Sequence, residues 1–155
     1  MYLNFDVVAS ITGFPFVYTP QPGDGTPTAS AEATKVFKDY FDMVGLPHDP
    51  TPLLGASDHV SFLFAGVPAG GPFSGATGIK TAAQAAAYGE TAGDPYDDLI
   101  NSPGDVIERI NLNVLDDMSD AAVHGISWYA FRTPAQDGAK GPPNGSVEFT
   151  MVPVR

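Results

Sequence analysis

Residues 55–71 read GASDHVSFLFAGVPAGG, and this stretch decides the fold class. Ser57–Gly66 is an apolar run closed by glycine, the pattern of a short buried helix. Val67–Gly71 then reads as a strand running into a glycine turn. A helix feeding directly into a strand is the repeating step of an α/β domain. The alternation continues on both sides. Upstream, Tyr2–Ala9 is rich in β-formers and reads as a strand, with Phe14–Thr19 a second one paired to it through the Gly13 turn. Ser30 caps a helix to about Val44, with Val36, Phe37, Tyr40, Phe41 and Val44 on one face. Gly45 stops that helix and Pro47 follows. Downstream, Thr81 and Gln84 form a capping box for a short alanine-rich helix. Asn113 caps a last helix to about Tyr129, with Asp116 in its first turn and Leu115, Met118, Ala122 and Ile126 inward.

A Pro/Gly-rich linker, Thr133–Gly145, leads to an alternating tail, Ser146–Val154, expected to form a final strand. The chain therefore divides into a domain over 1–132 and a linker with a C-terminal strand over 133–155. There is no internal repeat.

Composition narrows the function classes. At 155 residues the chain is the size of one domain with a real core. Its net charge of −11 argues against nucleic acid and anionic membrane surfaces, because both are polyanions. Seventeen glycines and 15 prolines predict shaped loops rather than a helical bundle. There is no cysteine, so there is neither a disulfide nor a thiolate ligand. The first ten residues lack the basic start of a secretory signal, and an intracellular, cytoplasmic location is expected.

Several short motifs carry two readings each. Gly23–Gly25 and Ala69–Gly71 read as tight turns, since neither has the glycine–lysine spacing of a phosphate loop. Asp120 and His124 stand four apart on the last helix, as a solvated ion pair, as a satisfied half-buried histidine beside a surface aspartate, or as two metal ligands. Ser57, Asp58 and His59 contain the ingredients of a nucleophilic triad. Adjacent residues diverge in direction, however, and Ser57 or Asp58 as a helix cap is the plain alternative.

Tyr2–Ala9, YLNFDVVA, resembles the LNFDMIG strand of the M28 family of dizinc aminopeptidases. The similarity continues in order. Gly55–Asp97 looks like that family's GRSD, AGGLFTGAEGIKT and closing YD segments, and Ile110–Ala130 looks like its last helix. The resemblance covers residues 2–130 and implies a truncated, three-layer aminopeptidase-type α/β domain with a mixed sheet.

The same resemblance implies a metal site that this sequence carries only in part. The family binds two zinc ions through an H-x-D segment, a Glu-Glu pair, the strand aspartate and a late histidine. Two neighbouring cations need several anionic or imidazole ligands, and a carboxylate beside the bridging water. Here Asp6 matches the strand aspartate. Asn101 stands at the late histidine, Ile100 at the neighbouring tyrosine, Leu99 and Gly104 at two disulfide cysteines, and Ala56 at the arginine of GRSD. Neutral, weakly basic Asn is a poor zinc ligand. Peptidase activity by this chain alone is therefore not expected, nor is any metal or cofactor.

What the sequence keeps is the segment lining the family's side-chain pocket. Gly70, Gly71 and Gly75 are explained either by backbone angles that only glycine adopts or by a persisting apolar pocket. On the second reading the chain is a metal-free enzyme or binder acting on a small hydrophobic molecule, for instance by cyclisation or isomerisation. Asp6, His59, Asn101 and Tyr96 would be its catalytic groups. Phe73, Gly71, Ser74, Ile100 and Asp58 would line the ligand. The alternatives are a non-catalytic interaction subunit or a fragment of a zinc aminopeptidase. The N-terminal strand, if open-edged, predicts a homodimer or a partner subunit pairing there. Asp116 and Asp120 match positions that bind calcium in relatives.

Overall fold

The structure, a computed structural model, describes residues 1–131. Five short strands, four α-helices and one 3-10 turn follow in the order β1 (Tyr2–Leu3), β2 (Phe16–Thr19), α1 (Ser30–Val44), β3 (Asp49–Pro52), α2 (His59–Phe64), β4 (Ala69–Gly70), β5 (Pro72–Phe73), α3 (Ala82–Tyr88), the 3-10 turn (Ile107–Arg109) and α4 (Leu112–Ala130). The pairing is mixed. β1 runs parallel to β4, β2 runs parallel to β3, and β2 runs antiparallel to β5. The fold is thus α/β, with a parallel pair β1-β4 and a mixed three-stranded sheet in the order β3-β2-β5. No described helix is long and apolar enough to cross a membrane. The linker and tail strand expected over 133–155 lie outside the described residues.

β1 is much shorter than the expected Tyr2–Ala9, and it does not pair with β2. The cause is local. Val7 adopts φ 55°, a left-handed conformation that a β-branched residue rarely takes, so the strand cannot continue. Ser74 holds this turn in place. Its backbone N–H and its hydroxyl both donate to the Val7 carbonyl, at 2.8 and 2.7 Å. With Val7–Ser10 tied to Ser74, β1 is left to pair with β4, where Tyr2 faces Ala69 in register.

α1 packs against α4 and β2. Its Val36, Phe37, Tyr40 and Phe41 are buried, as the sequence spacing requires, and Gly45 ends it in the left-handed conformation. Val44, the last residue of the expected stripe, is exposed at the fraying end. Ser30 is the first helical residue rather than the cap, and its hydroxyl accepts the Ala69 N–H at 3.1 Å. The sequence placed α2 as a buried helix; only His59 and Leu63 are buried, while Phe64 is 81% exposed.

α4 begins earlier than expected. Asn111, not Asn113, is its cap, accepting the N–H groups of Asn113 and Val114. The inward row is Val114, Met118, Ala121 and Gly125, so Leu115 and Ala122 are only partly covered and Ile126 is exposed. Packing fixes this rotation. A side-chain carbon at Gly125 would lie 2.5 Å from the Phe37 ring, so the absence of a side chain there makes room for that ring. Phe37, Phe41, Val17, Val114, Met118 and Ala121 form one apolar cluster around this contact.

Candidate functional site

A polar corner forms where β1 leaves the sheet. Asn4 is buried at 2% exposure, and its side-chain amide donates to the Ser57 hydroxyl at 3.0 Å. Ser57 in turn donates to the exposed Asp6 carboxylate at 2.7 Å. Burial, reinforced by the Asp6 charge and opposed by Ser57, pushes the Tyr18 pKa up to about 12. A chain of donors therefore aims Asp6 at solvent from a rigid base.

His59 sits behind this corner. Its ring is fully buried and packs against Tyr18, with centroids 4.5 Å apart and the planes tilted by 50°. Nε2 lies 2.6 Å from the Leu53 carbonyl, which only accepts, so Nε2 carries the proton. Nδ1 then presents a lone pair, and it has no hydrogen-bond partner among the described residues. Asp58 occupies the cap position of α2, exposed, and its side chain makes no cap bond.

The remaining sequence-selected residues form a different group. Phe73 packs beside Tyr18 and Phe16, with centroids 5.5 and 6.1 Å apart. Tyr96 is 2% exposed, contacts Phe16, and donates to Gln84 Oε1 at 2.5 Å. Gln84 also donates to Asp49 at 2.6 Å. Burial, with the Asp49 charge, pushes the Tyr96 pKa up to about 12. The Ser74 hydroxyl is fully buried and committed to Val7 and Ser10. Gly71 faces backbone: a side-chain carbon there would stand 1.9 Å from the Asn4 carbonyl oxygen. At Gly75, φ 109° and the Tyr96 ring leave no room for one either.

Asn101 and Ile100 lie on the loop that follows Tyr96. Asn101 is exposed at φ 58°, and its N–H donates to Asp105 at 2.9 Å within the same loop. Leu99 and Gly104, the positions matched to disulfide cysteines, touch: the Leu99 methyl covers the space a Gly104 side chain would fill. An apolar contact thus closes the loop. On α4, the half-buried His124 packs against the Tyr40 ring, with centroids 5.0 Å apart and the planes tilted by 36°.

Sequence reasoning missed three contributors. Asn4 and Tyr18 looked like strand residues, and only their burial beside Ser57 gives them roles. Lys80 is 4% exposed; its ammonium donates to Thr12 Oγ1, to the Thr12 carbonyl at 3.5 Å and to the Pro95 carbonyl at 2.8 Å. It also stands 4.9 Å from the centre of the Tyr96 ring.

The donor set does not fit a two-metal centre. Among the described residues no group of three or more His, Asp or Glu is placed to hold a metal. Asp6 is the carboxylate bonded in the corner, and the proton on His59 Nε2 is committed to Leu53. Asp116 and Asp120 are exposed on α4.

Residues 1–126 match Peptidase family M28. This chain belongs to that family. It is 37% identical over 136 residues to the probable leucine aminopeptidase 2 of Aspergillus oryzae, covering 84% of this chain and 27% of that protein. Leucine aminopeptidase 2 of Arthroderma otae is 41% identical over 117 residues, covering 72% and 23%. An aminopeptidase of Pseudomonas aeruginosa is 37% identical over 142 residues, covering 88% and 26%. The M28 chain described here thus spans about a quarter of the length of the curated relatives it matches.

Proposed function

We propose that this chain is a degenerate M28 unit that does not hydrolyse peptides by itself and acts through binding. One observation carries the reading. Asp6, the residue matched to a family metal ligand, accepts from the Ser57 hydroxyl, which in turn accepts from the Asn4 amide, and among the described residues no group of three or more His, Asp or Glu is placed to hold a metal. A single carboxylate in such surroundings binds zinc weakly, because tight sites combine three or four charged or imidazole donors. The position matched to the late histidine is Asn101, a neutral side chain and a poor zinc ligand. The test is hydrolysis of a leucyl chromogenic amide with added zinc. No turnover above the background of zinc alone is expected; zinc-dependent turnover by the purified chain would overturn the reading.

A metal-independent enzyme acting on a small hydrophobic molecule is the second reading, and the free Nδ1 of His59 favours it. Asp6 and His59 would then share acid–base work, with Tyr96 and Asn101 as further polar groups. Phe73, Gly71, Ser74, Ile100 and Asp58 would line the ligand. Asp6→Asn and His59→Gln should each abolish turnover of a substrate found by metabolite screening while leaving the melting temperature within a few degrees. Full activity in both variants would sink this reading. A partner strand pairing on the side of β1 away from β4 is also proposed, because among the described residues β1 pairs with β4 alone.

A further inference from the structure

α4 carries two rows of side chains. Val114, Met118, Ala121 and Gly125 face α1 and β2 and are buried. Leu112, Asp116, Ser119, Val123, Ile126 and Ala130 follow each other at spacings of four and three residues on roughly the opposite side. The apolar members of this outer row are open. Leu112 is 73% exposed, Val123 62% and Ile126 51%. Isolated exposed apolar residues are ordinary on protein surfaces. A row at heptad spacing is not, because it is the pattern that packs one helix against another.

The charges along α4 indicate what covers it. Asp116, Asp117 and Asp120 all lie in the first half of the helix, and no Asp, Glu, Lys or Arg occurs from Ala121 to Ala130. A parallel pair of such helices would set six carboxylates side by side. An antiparallel pair separates them and lays each acidic half against the partner's uncharged half. It also opposes the two helix dipoles favourably. Two chains that each carry −11 meet with least repulsion through a charge-poor surface, and the outer row from Ser119 to Ala130 carries no charged side chain.

We propose that a second copy of this chain docks antiparallel along the outer row of α4, with Val123 near the twofold axis. The contact is isologous, so each copy offers the same residues to the other. Neither the Asp6 corner nor the edge of β1 takes part.

Light scattering on the full 155-residue chain across a hundredfold concentration range tests this. A two-chain mass is expected for the wild type, with at least tenfold weaker association in the Val123→Glu/Ile126→Glu double variant. Both positions are solvent-facing, so helical circular dichroism and cooperative melting should persist in that variant. The chain has no cysteine, so single cysteines report the geometry. Val123→Cys should oxidise to a linked dimer, and Leu112→Cys, far from the axis, should not. A one-chain mass throughout would overturn the proposal. So would a dimer unchanged by the two glutamates, or equal cross-linking at both cysteine positions.

Discussion

Around Phe37 the chain is held by side-chain volume; around Gly71 it is held by backbone contact. In the first region a ring from α1 fills the space that Gly125 leaves on α4, inside an apolar cluster. In the second, residues 4–10 lie so close to residues 70–75 that glycine and serine are required at the crossing points. The difference teaches where change is tolerated. A cavity in the first region can partly relax, whereas the second has no side chain that can move aside.

Two substitutions should cost similar amounts for opposite reasons. Phe37→Ala removes a whole ring and should lose about 3–5 kcal/mol of folding free energy. Gly71→Ala adds one methyl against the Asn4 carbonyl and should lose roughly 4 kcal/mol or more. Urea denaturation would measure both. A Gly71→Ala loss below that of an ordinary surface substitution would show that the wall yields and would erase the contrast.

Ser74→Ala comes next. It removes the hydroxyl that reaches Val7 and Ser10, and buried groups left without a partner cost about 1–3 kcal/mol. Hydrogen exchange should quicken at Ser10, whose N–H donates to that hydroxyl at 3.1 Å, while α1 stays protected. Equal loosening of α1 would mean that the two regions are one cooperative unit.

The smallest expected effect lies in alkaline solution. Burial raises the phenols of Tyr18, Tyr40, Tyr96 and Tyr129 from the ordinary 10.0 to about 12. A raised folded pKa contributes stability that is complete below 10 and is lost as pH climbs towards 12. Stability should therefore fall between these values, and Tyr96→Phe should flatten the fall by one proton. An unchanged slope in that variant would mean that Tyr96 ionises in the folded protein as it does in water.

Which parts of this were legible in the sequence follows from the same contrast. The α1 stripe up to Phe41, its Gly45 stop and the Thr81–Gln84 capping box are local patterns, and each is found where the spacing puts it. The rotation of α4 was not legible, because both of its faces carry apolar residues and a contact between Phe37 and Gly125 chooses between them. The end of β1 was hidden too, since the strain at Val7 depends on Ser74, 67 residues away. At the candidate site Asp6 was visible through its strand, but its support by Asn4 and Ser57 joins two separate segments. Lys80 carried no sequence signal, because its acceptors are a threonine and a backbone carbonyl brought together only by folding.

The central claim is that family M28 membership here does not bring a two-metal site. Equilibrium dialysis of the purified chain against micromolar zinc, followed by elemental analysis, tests it most directly. The account predicts well under one zinc per chain, with little change in Asp6→Asn. Two zinc ions per chain, lost on replacing Asp6, would contradict it.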